Sequence, residues 1–565
     1  GAFSFGHSNN LNYSELTRQH CEFVDNLAGT SGGALCINSY EASYIDNCTF
    51  TYNKYSNAQN NGCNAIYLQK FASTFITDTL LLDNGIKGSA IVFEGKYLYG
   101  FSSTIEYTDI SASSRGIEFR NRAIVELEEM EFTHCNCNGG EGGGIFYHEV
   151  TPASDAIDLV FSLEGCVFDA NQAGNGSALL LNISSTPDIN NCIFKNHQHG
   201  EFIFTIVFNL FQMVFEFTGC TFENNYHTTS ANNEDGGGSG IWIANQKEIA
   251  AGRLIQIYFT DITFVSNNSP YVGGAFAYGR SPTVYPSELY FDGCEFNGNT
   301  ANKHGGALWI MTKSPYEIQY CTFKNNFANE YGGSVMVDTK APIATIQTSS
   351  FEYETAGEDG NAIHVTETTP RFIISGNNFV DCGLSDTENK DKNVVLLENT
   401  IAGIDGNTIQ FSNQDETCRA VKVSKAGTYE FADNKFYLCS ARQGGAIYFD
   451  ASSEAINETM ILSGNTFDSC IGKAEGCAIY FLVKLPPTLR DNTITNCRYG
   501  TNTITIKLLR EVKQYVLTGL IFDNNEYQNE GREDGGGSGL SVENAGEKPF
   551  TYILRGIVFK ANTGW

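Results

Sequence analysis

Apolar residues two positions apart recur in short bursts along the whole chain: Leu35 and Ile37, Ile66 and Leu68, Leu308 and Ile310, Ile447 and Phe449, Ile479 and Phe481. A period of two puts both side chains on one face of an extended strand. The residue between them varies freely (Cys36, Tyr67, Trp309, Tyr448, and in other copies His364, Lys422 and Glu118), as expected of an outward position. Each burst follows a glycine box such as Gly32-Gly33-Ala34, Gly273-Gly274-Ala275, Gly305-Gly306-Ala307 or Gly444-Gly445-Ala446. Between glycine boxes lies a second signature: Cys21-Glu-Phe23-Val-Asp-Asn26, Cys48-Thr-Phe50-Thr-Tyr-Asn53, Cys166-Val-Phe168-Asp-Ala-Asn171, Cys294-Glu-Phe296-Asn-Gly-Asn299, Cys321-Thr-Phe323-Lys-Asn-Asn326. Its Cys and Phe, also two apart, are predicted to point inward. The Asn suits a turn, because a short amide tolerates left-handed backbone, and the paired glycines mark a second corner.

The two boxes alternate in about eighteen copies roughly thirty residues apart, a period that belongs to repeat architectures. One such block cannot bury its apolar face alone; stacked blocks can. The predicted fold is therefore all-β, a single-stranded parallel β-helix, with right-handed connections as parallel strands prefer. At ~4.8 Å between strands, eighteen coils would extend roughly 85 to 90 Å. A leucine-rich repeat would need a helix in each block, and nothing in the pattern reads as one.

These alternating G-G-A-[ILV] and F-x-x-N tetrapeptides resemble those of the chlamydial polymorphic outer-membrane proteins, a family of surface autotransporter adhesins. The resemblance runs over nearly the whole chain and implies a right-handed β-helix at a cell surface. The motifs specify coils, so they carry fold strongly and function weakly. The chain departs from that family in showing no C-terminal membrane-barrel pattern; it stops on a coil box, Phe559-Lys-Ala-Asn562.

A longer repeat lies above the coils. Gly1-Ala2-Phe3 matches Gly274-Ala275-Phe276, Ser14-Glu15-Leu16 matches Ser287-Glu288-Leu289, and Cys21-Glu22-Phe23 matches Cys294-Glu295-Phe296, all at an offset of 273. Further on the offset grows by about one coil, so that residues 234–240 return as 533–539. The chain reads as a tandem duplication, 1–273 and 274–565, wound as one continuous solenoid. Placing Trp565 before Gly1, Ala2 and Phe3 recreates the internal junction, with Phe559 and Asn562 on the last coil. The sequence thus predicts head-to-tail stacking of subunits into a surface fibre, since heterologous contacts that do not close give filaments. An adhesin stalk binding host or matrix ligands, glycans among them, is the second reading; a polysaccharide lyase or hydrolase is the third.

Composition fits an exported protein. A formal net charge of -29 over 565 residues argues against nucleic acid as partner. The most apolar run, 202–217, is short and contains Asn209 and Gln212, so it reads as coil strand rather than membrane span. With no leader ahead of Gly1, the sequence reads as a mature form, extracellular or on the cell surface.

Seventeen cysteines are spread in an orderly way. In some coils Cys opens the Phe box and Asn closes it; in others they swap, as in Asn434-Lys-Phe436-Tyr-Leu-Cys439 and Asn465-Thr-Phe467-Asp-Ser-Cys470. Equivalent positions on successive coils lie within disulfide range, and Cys21 with Cys48 and Cys294 with Cys321 are the best pairs. The competing expectation is buried free thiols acting as small hydrophobes. Sequons occur at Asn12, Asn47, Asn175, Asn182, Asn267 and Asn457. Asn47 should point outward and Asn175 sit in a corner, which makes them the best glycan acceptors; Asn267, the turn residue of its coil, should be occluded.

Catalytic spacing is missing: no Asp-Asp pair, no Asn-Thr-Asp, no His-Gly beside a basic pair. Asp109 and Arg115 fall on neighbouring turns but read as solvated charge, and His197 with His199 as a polar corner. No cofactor is expected; Glu234-Asp235 and Glu533-Asp534, before triple glycines, could bind calcium only weakly. The slot after the glycine box holds Tyr67, Phe146, Trp242, Trp309, Tyr448 and Tyr480. This predicts either an external aromatic row able to stack on sugar rings or a row covered by inserted loops.

Overall fold

The computed structural model describes the chain outside residues 1, 6–14, 30–31, 57–62, 70–72, 86, 109–112, 149–159, 184–186, 199–201, 209–212, 227–237, 244–254, 279–286, 313, 339–340, 342, 367–370, 384–391, 399–400, 413–417, 426, 453–458, 500–501, 528–538, 546–550 and 565. Two compact units result, Gly1–Tyr290 and Phe291–Trp565.

In the first unit each block forms one rung of three short strands. One complete rung is Leu35–Ile37 after the glycine box, Ala42–Asp46, and Thr49–Thr51 in the Phe box. The next rung lies on it in parallel register, Leu35 on Ile66, Tyr44 on Phe75, Phe50 on Leu81. Pairing is parallel among the described strands of this unit, apart from Ser114 against Asn136. The fold is the expected right-handed parallel β-solenoid, with no helix among the described residues. The middle strand is the one element the repeat boxes did not announce.

The second unit is built in the same way. Leu308–Ile310, Tyr316–Gln319 and Thr322–Lys324 make a rung that pairs in parallel with Val335–Asp338, Ala344–Gln347 and Ser350–Glu352. Among the described residues, nine Phe-box strands fall in the first unit and ten in the second, against about eighteen expected in all.

Alternation decides the interior. Leu35, Ile37, Ile45, Cys48 and Phe50 are buried, and their equivalents are buried rung after rung. The Phe-box rings stack face to face: Phe132, Phe168, Phe194, Phe222 and Phe264 in the first unit, with centroids 4.8 to 5.1 Å apart. In the second, Phe296, Phe323, Phe351 and Phe379 are 4.6 to 4.8 Å apart. The strand spacing imposes this stacking, and each buried ring contributes about 2 to 3 kcal/mol by burial alone. The glycine pair is explained at Gly305 and Gly306: the first has φ +63°, and a Cβ on the second would collide with the Gly333 carbonyl oxygen of the next rung.

The Asn of the Phe box plays a different part from the one predicted. The left-handed residue is the one before it, such as Tyr52 (φ 55°), Asp83 (φ 51°) or Asn325 (φ 55°). The Asn itself is buried and bonds from rung to rung. Asn53 accepts from the Asn26 backbone N–H (3.1 Å) and side chain (2.8 Å), while its own side chain donates to the Phe23 carbonyl (2.8 Å) and to Asn84 (2.9 Å). A left-handed turn leaves the next N–H out of the strand ladder, and a buried orphan donor costs about 1 to 3 kcal/mol. The amide from the following rung satisfies it.

This accounts for the Cys/Asn swap. In the second unit Asn299 and Asn326 form the amide ladder after the Phe strand, with Cys294 and Cys321 at the opposite corner. From Asn377 onward the ladder moves to the corner before the Phe strand and runs through Asn407, Asn434, Asn465 and Asn492 at 2.9 to 3.1 Å. Cys382, Cys439, Cys470 and Cys497 now fill the corner that the amides vacated. In these rungs one corner takes an amide and the other a small thiol.

Candidate functional site

The glycine-box slot is where the sequence placed an external aromatic row. The register does put these residues in one column within each unit: Cys36 beside Tyr67 and Val92 in the first, Lys422 beside Tyr448 and Tyr480 in the second. The column is covered, however. Trp242, Trp309 and Tyr480 are only 3%, 6% and 4% exposed. Arg115 lies 4.6 Å over the Phe146 ring, Arg419 4.7 Å over Tyr448, and Tyr448 stacks on Tyr480 at 5.3 Å. Trp242, Trp309 and Tyr480 are thus closed to a sugar and Phe146 and Tyr448 are overlain by guanidinium groups, while Tyr67 is half-buried, so the row is covered in large part.

The same column carries two polar networks that sequence reasoning missed. In the first unit the buried Glu118 carboxylate accepts from Ser89 Oγ (2.8 Å) and Arg120 Nε (2.7 Å), with Arg115 at 3.4 Å. Arg115, expected as solvated surface charge, is half-buried and also donates to the Glu141 carbonyl (2.7 Å); Asp109 lies outside the described residues. In the second unit Asp359 accepts from the Asn393 side chain at 2.6 and 2.7 Å, Asn393 from Arg419 at 2.7 Å, and Lys422 approaches Asp359 at 3.3 Å. Glu118 is met by cations of its own rung, while Asp359 is reached through Asn393 by the side chains of the rung that carries Arg419 and Lys422. The outward residues of single strands (Glu118, Lys422, His364) carried half of the signal; the other half was rung register, which sequence spacing fixes only approximately.

The Phe-box cysteines are thiols stacked inside the corners. Cys21, Cys48, Cys294 and Cys321, the expected disulfide pairs, form no disulfide, nor do the remaining thirteen cysteines. Burial pushes the Cys192 thiol, between Cys166 and Cys220, and the Cys470 thiol, between Cys439 and Cys497, well above the usual range. Such thiols are poor nucleophiles.

His197 does occupy a polar corner, and a buried one. It is fully buried in the amide ladder, where its Nδ1 accepts from the Asn171 N–H (3.1 Å) and its own N–H donates to Asn225 (3.2 Å). Desolvation lowers its pKa to about 4. His199 lies outside the described residues. Glu354 takes a place of this kind in the second unit: it accepts from the Asn326 backbone N–H (3.0 Å) and side chain (3.3 Å) and contacts Ser334 Oγ. Burial holds its carboxyl well above the usual carboxylate range.

Of the sequons, Asn47 is exposed at a left-handed corner (φ 47°) and Asn267 is fully buried in the ladder. The backbones of Asn175 and Asn182 lie in the strand Gln172–Ile183. Asn12 and Asn457 lie outside the described residues, as do Glu234, Asp235, Glu533 and Asp534. Among the described residues, no group of three or more His, Cys, Asp or Glu side chains is placed to hold a metal. The apolar run 202–217 contains the strands Phe202–Phe208 and Met213–Thr218, and no described helix is long and apolar enough to cross a membrane. Of the expected assembly residues, Ala2 is exposed, Phe3 is half-buried and pairs with Leu35, Phe559 is 54% exposed, and Asn562 ends the ladder by accepting from Asn525 at 3.0 Å. Gly1 and Trp565 lie outside the described residues.

Fold and corners together define a right-handed parallel β-solenoid repeat protein. Residues 293–310 match the Chlamydia polymorphic membrane protein (Chlamydia_PMP) repeat. The matched stretch is one corner-to-strand passage, from Gly293 and the strand Glu295–Asn297 through Gly305 and Gly306 to Leu308–Ile310. A search of curated proteins finds no match to the chain.

Proposed function

We propose that the protein is a cell-surface structural solenoid, two tandem copies (1–273 and 274–565), whose rungs continue from one molecule into the next to make a fibre. The repeat it shares with Chlamydia polymorphic membrane proteins supports a surface location. The observation that carries the assembly is the polarity of the corner ladder. Each corner N–H donates to the side-chain oxygen of the following rung, as Asn26 does to Asn53 and Asn525 to Asn562. The same sense recurs in each tandem copy, Asn26 to Asn53 and Asn299 to Asn326, so a rung of one copy offers the donor that a rung of another copy accepts. On the Val558–Lys560 rung Leu554, Val558 and Phe559 are 52%, 47% and 54% exposed. Phe559 already stacks on Phe522 at 5.0 Å, and Phe23 of a second copy would continue that stack. Heterologous contacts that do not close give filaments.

The test is the oligomeric state of the 565-residue chain by light scattering and negative-stain imaging over a concentration series. Assemblies that lengthen with concentration, and that Phe559→Asp shortens, are the expected result. Monomers at every concentration, or assemblies indifferent to Phe559→Asp, overturn the proposal.

A further inference from the structure

The middle strand, silent in the repeat boxes, carries an aromatic ridge in the first unit. Its outward column reads Tyr44, Phe75, Tyr99 on successive rungs, with Tyr97 and Phe101 beside it on the same strand as Tyr99. All five are partly exposed. Tyr44 and Phe75 stack at 4.9 Å with planes 11° apart, and Phe75 meets Tyr97 edge to face at 5.6 Å. The columns then turn acidic. Glu126 follows Tyr99, Glu128 follows Phe101, and Glu164, Asp188 and Glu216 come on the rungs after. Tyr97 donates to Glu126 (2.8 Å) and Tyr99 to Glu128 (3.3 Å), fixing both carboxylates beside the rings. Among the described residues none of these five carboxylates is in an ion pair.

The duplication supplies an internal control. Matching rungs by their Phe boxes, the second unit has Glu317, Thr345, Ile373 and Gly403 where the first has Tyr44, Phe75, Tyr99 and Glu126. Its other column has Gln347, Ser375 and Asp405 where the first has Thr77, Phe101 and Glu128. The same solenoid therefore forms without the ridge, and its columns carry Asp405 and, on the rung after Gly403, Glu430 in place of the five-carboxylate run. The fold does not require the ridge or that run.

We propose that this face of the first unit docks a basic, arginine- or lysine-rich polypeptide segment. Such side chains lay their methylene stems along apolar surface while their charged heads reach carboxylates. The ridge offers the first and the adjoining carboxylates the second, and an acidic protein steers such a partner toward itself. A neutral glycan fits less well. Tyr44 and Phe75 are stacked on each other, so they turn edges rather than open faces outward, whereas a pyranose needs a face. The inference is independent of end-to-end assembly, since the ridge lies on the side of the unit.

The test measures binding of a fluorescent octa-arginine peptide to the full chain at physiological salt. Glu126→Gln with Glu128→Gln, and separately Phe75→Ala with Tyr99→Ala, are expected to weaken binding by about tenfold each, the size of one good charged or anchoring contact. Glu317→Gln with Glu430→Gln removes the same charge from the second unit and should change it by less than about twofold. Equal weakening by both carboxylate pairs would reduce the effect to net charge and overturn the proposal. So would binding that does not saturate, or displacement of the peptide by a neutral oligosaccharide such as cellohexaose.

Discussion

The two units solve the same corner problem with a titratable group among the amides, set on different rungs of the ladder. In the first, His197 stands among Asn171, Asn225 and Asn267; in the second, Glu354 follows Asn299 and Asn326. Each offers an acceptor to the N–H of the preceding rung, as the amide does, but each also titrates. Histidine accepts only while neutral, and burial holds it neutral down to about 4. Glutamate is tolerated in that interior only while protonated, and burial holds it protonated well above the ordinary range. What the ladder needs is an uncharged acceptor of the right reach, and the two units meet that need with groups whose pKa values burial moves in opposite directions.

The comparison can be broken most severely by removing an amide outright. Asn434→Ala strips the acceptor from Asn407 and the donors to the Ile404 carbonyl and Asn465. It should cost about 4 kcal/mol, read as a shift in the urea midpoint of the second unit. His197→Asn restores the regular ladder. The histidine's folded value lies below its ordinary 6.5, so its stabilising contribution is full above that value and lost as pH falls toward about 4. The variant should match the parent at pH 8 and exceed it by up to about 3 kcal/mol at pH 4 in denaturation curves. Glu354→Gln has the opposite sign. With the folded value raised, the parent is most stable below the ordinary glutamate range and declines by about 1.4 kcal/mol per pH unit above it, until the folded value is reached. The glutamine variant should not decline, and a pH series of unfolding midpoints checks it. Cys192→Ala is expected to be mildest, about 1 kcal/mol, because the thiol fills space at a corner.

The fold was legible because periodicity is a statement about backbone. Leu35 with Ile37 and Cys48 with Phe50 announce strands, and Gly305-Gly306-Ala307 announces a corner whichever rung it caps. The ladder was visible as the recurring Asn but misread, since Asn53 and Tyr52 are adjacent and only coordinates separate the left-handed residue from the bonded one. The aromatic slot was placed correctly and its exposure left open, because cover by Arg115 and Arg419 depends on residues distant in sequence. Tyr97, Tyr99 and Phe101 did alternate visibly. Their meaning depended on a middle strand that lacks glycine punctuation and a fixed box, and on a register that sets Phe75 over Tyr99.

Buried corner hydrogen bonds hold each unit, and their titratable member sets that unit's limit. Segment-resolved amide hydrogen exchange of the full chain between pH 4 and 9, corrected for intrinsic exchange rates, tests this most directly. Lowering the pH should release protection first around His197 and its neighbours in the first unit, and raising it first around Glu354 in the second. Loss of protection at the same pH in both units, or first at segments remote from these two residues, would contradict it.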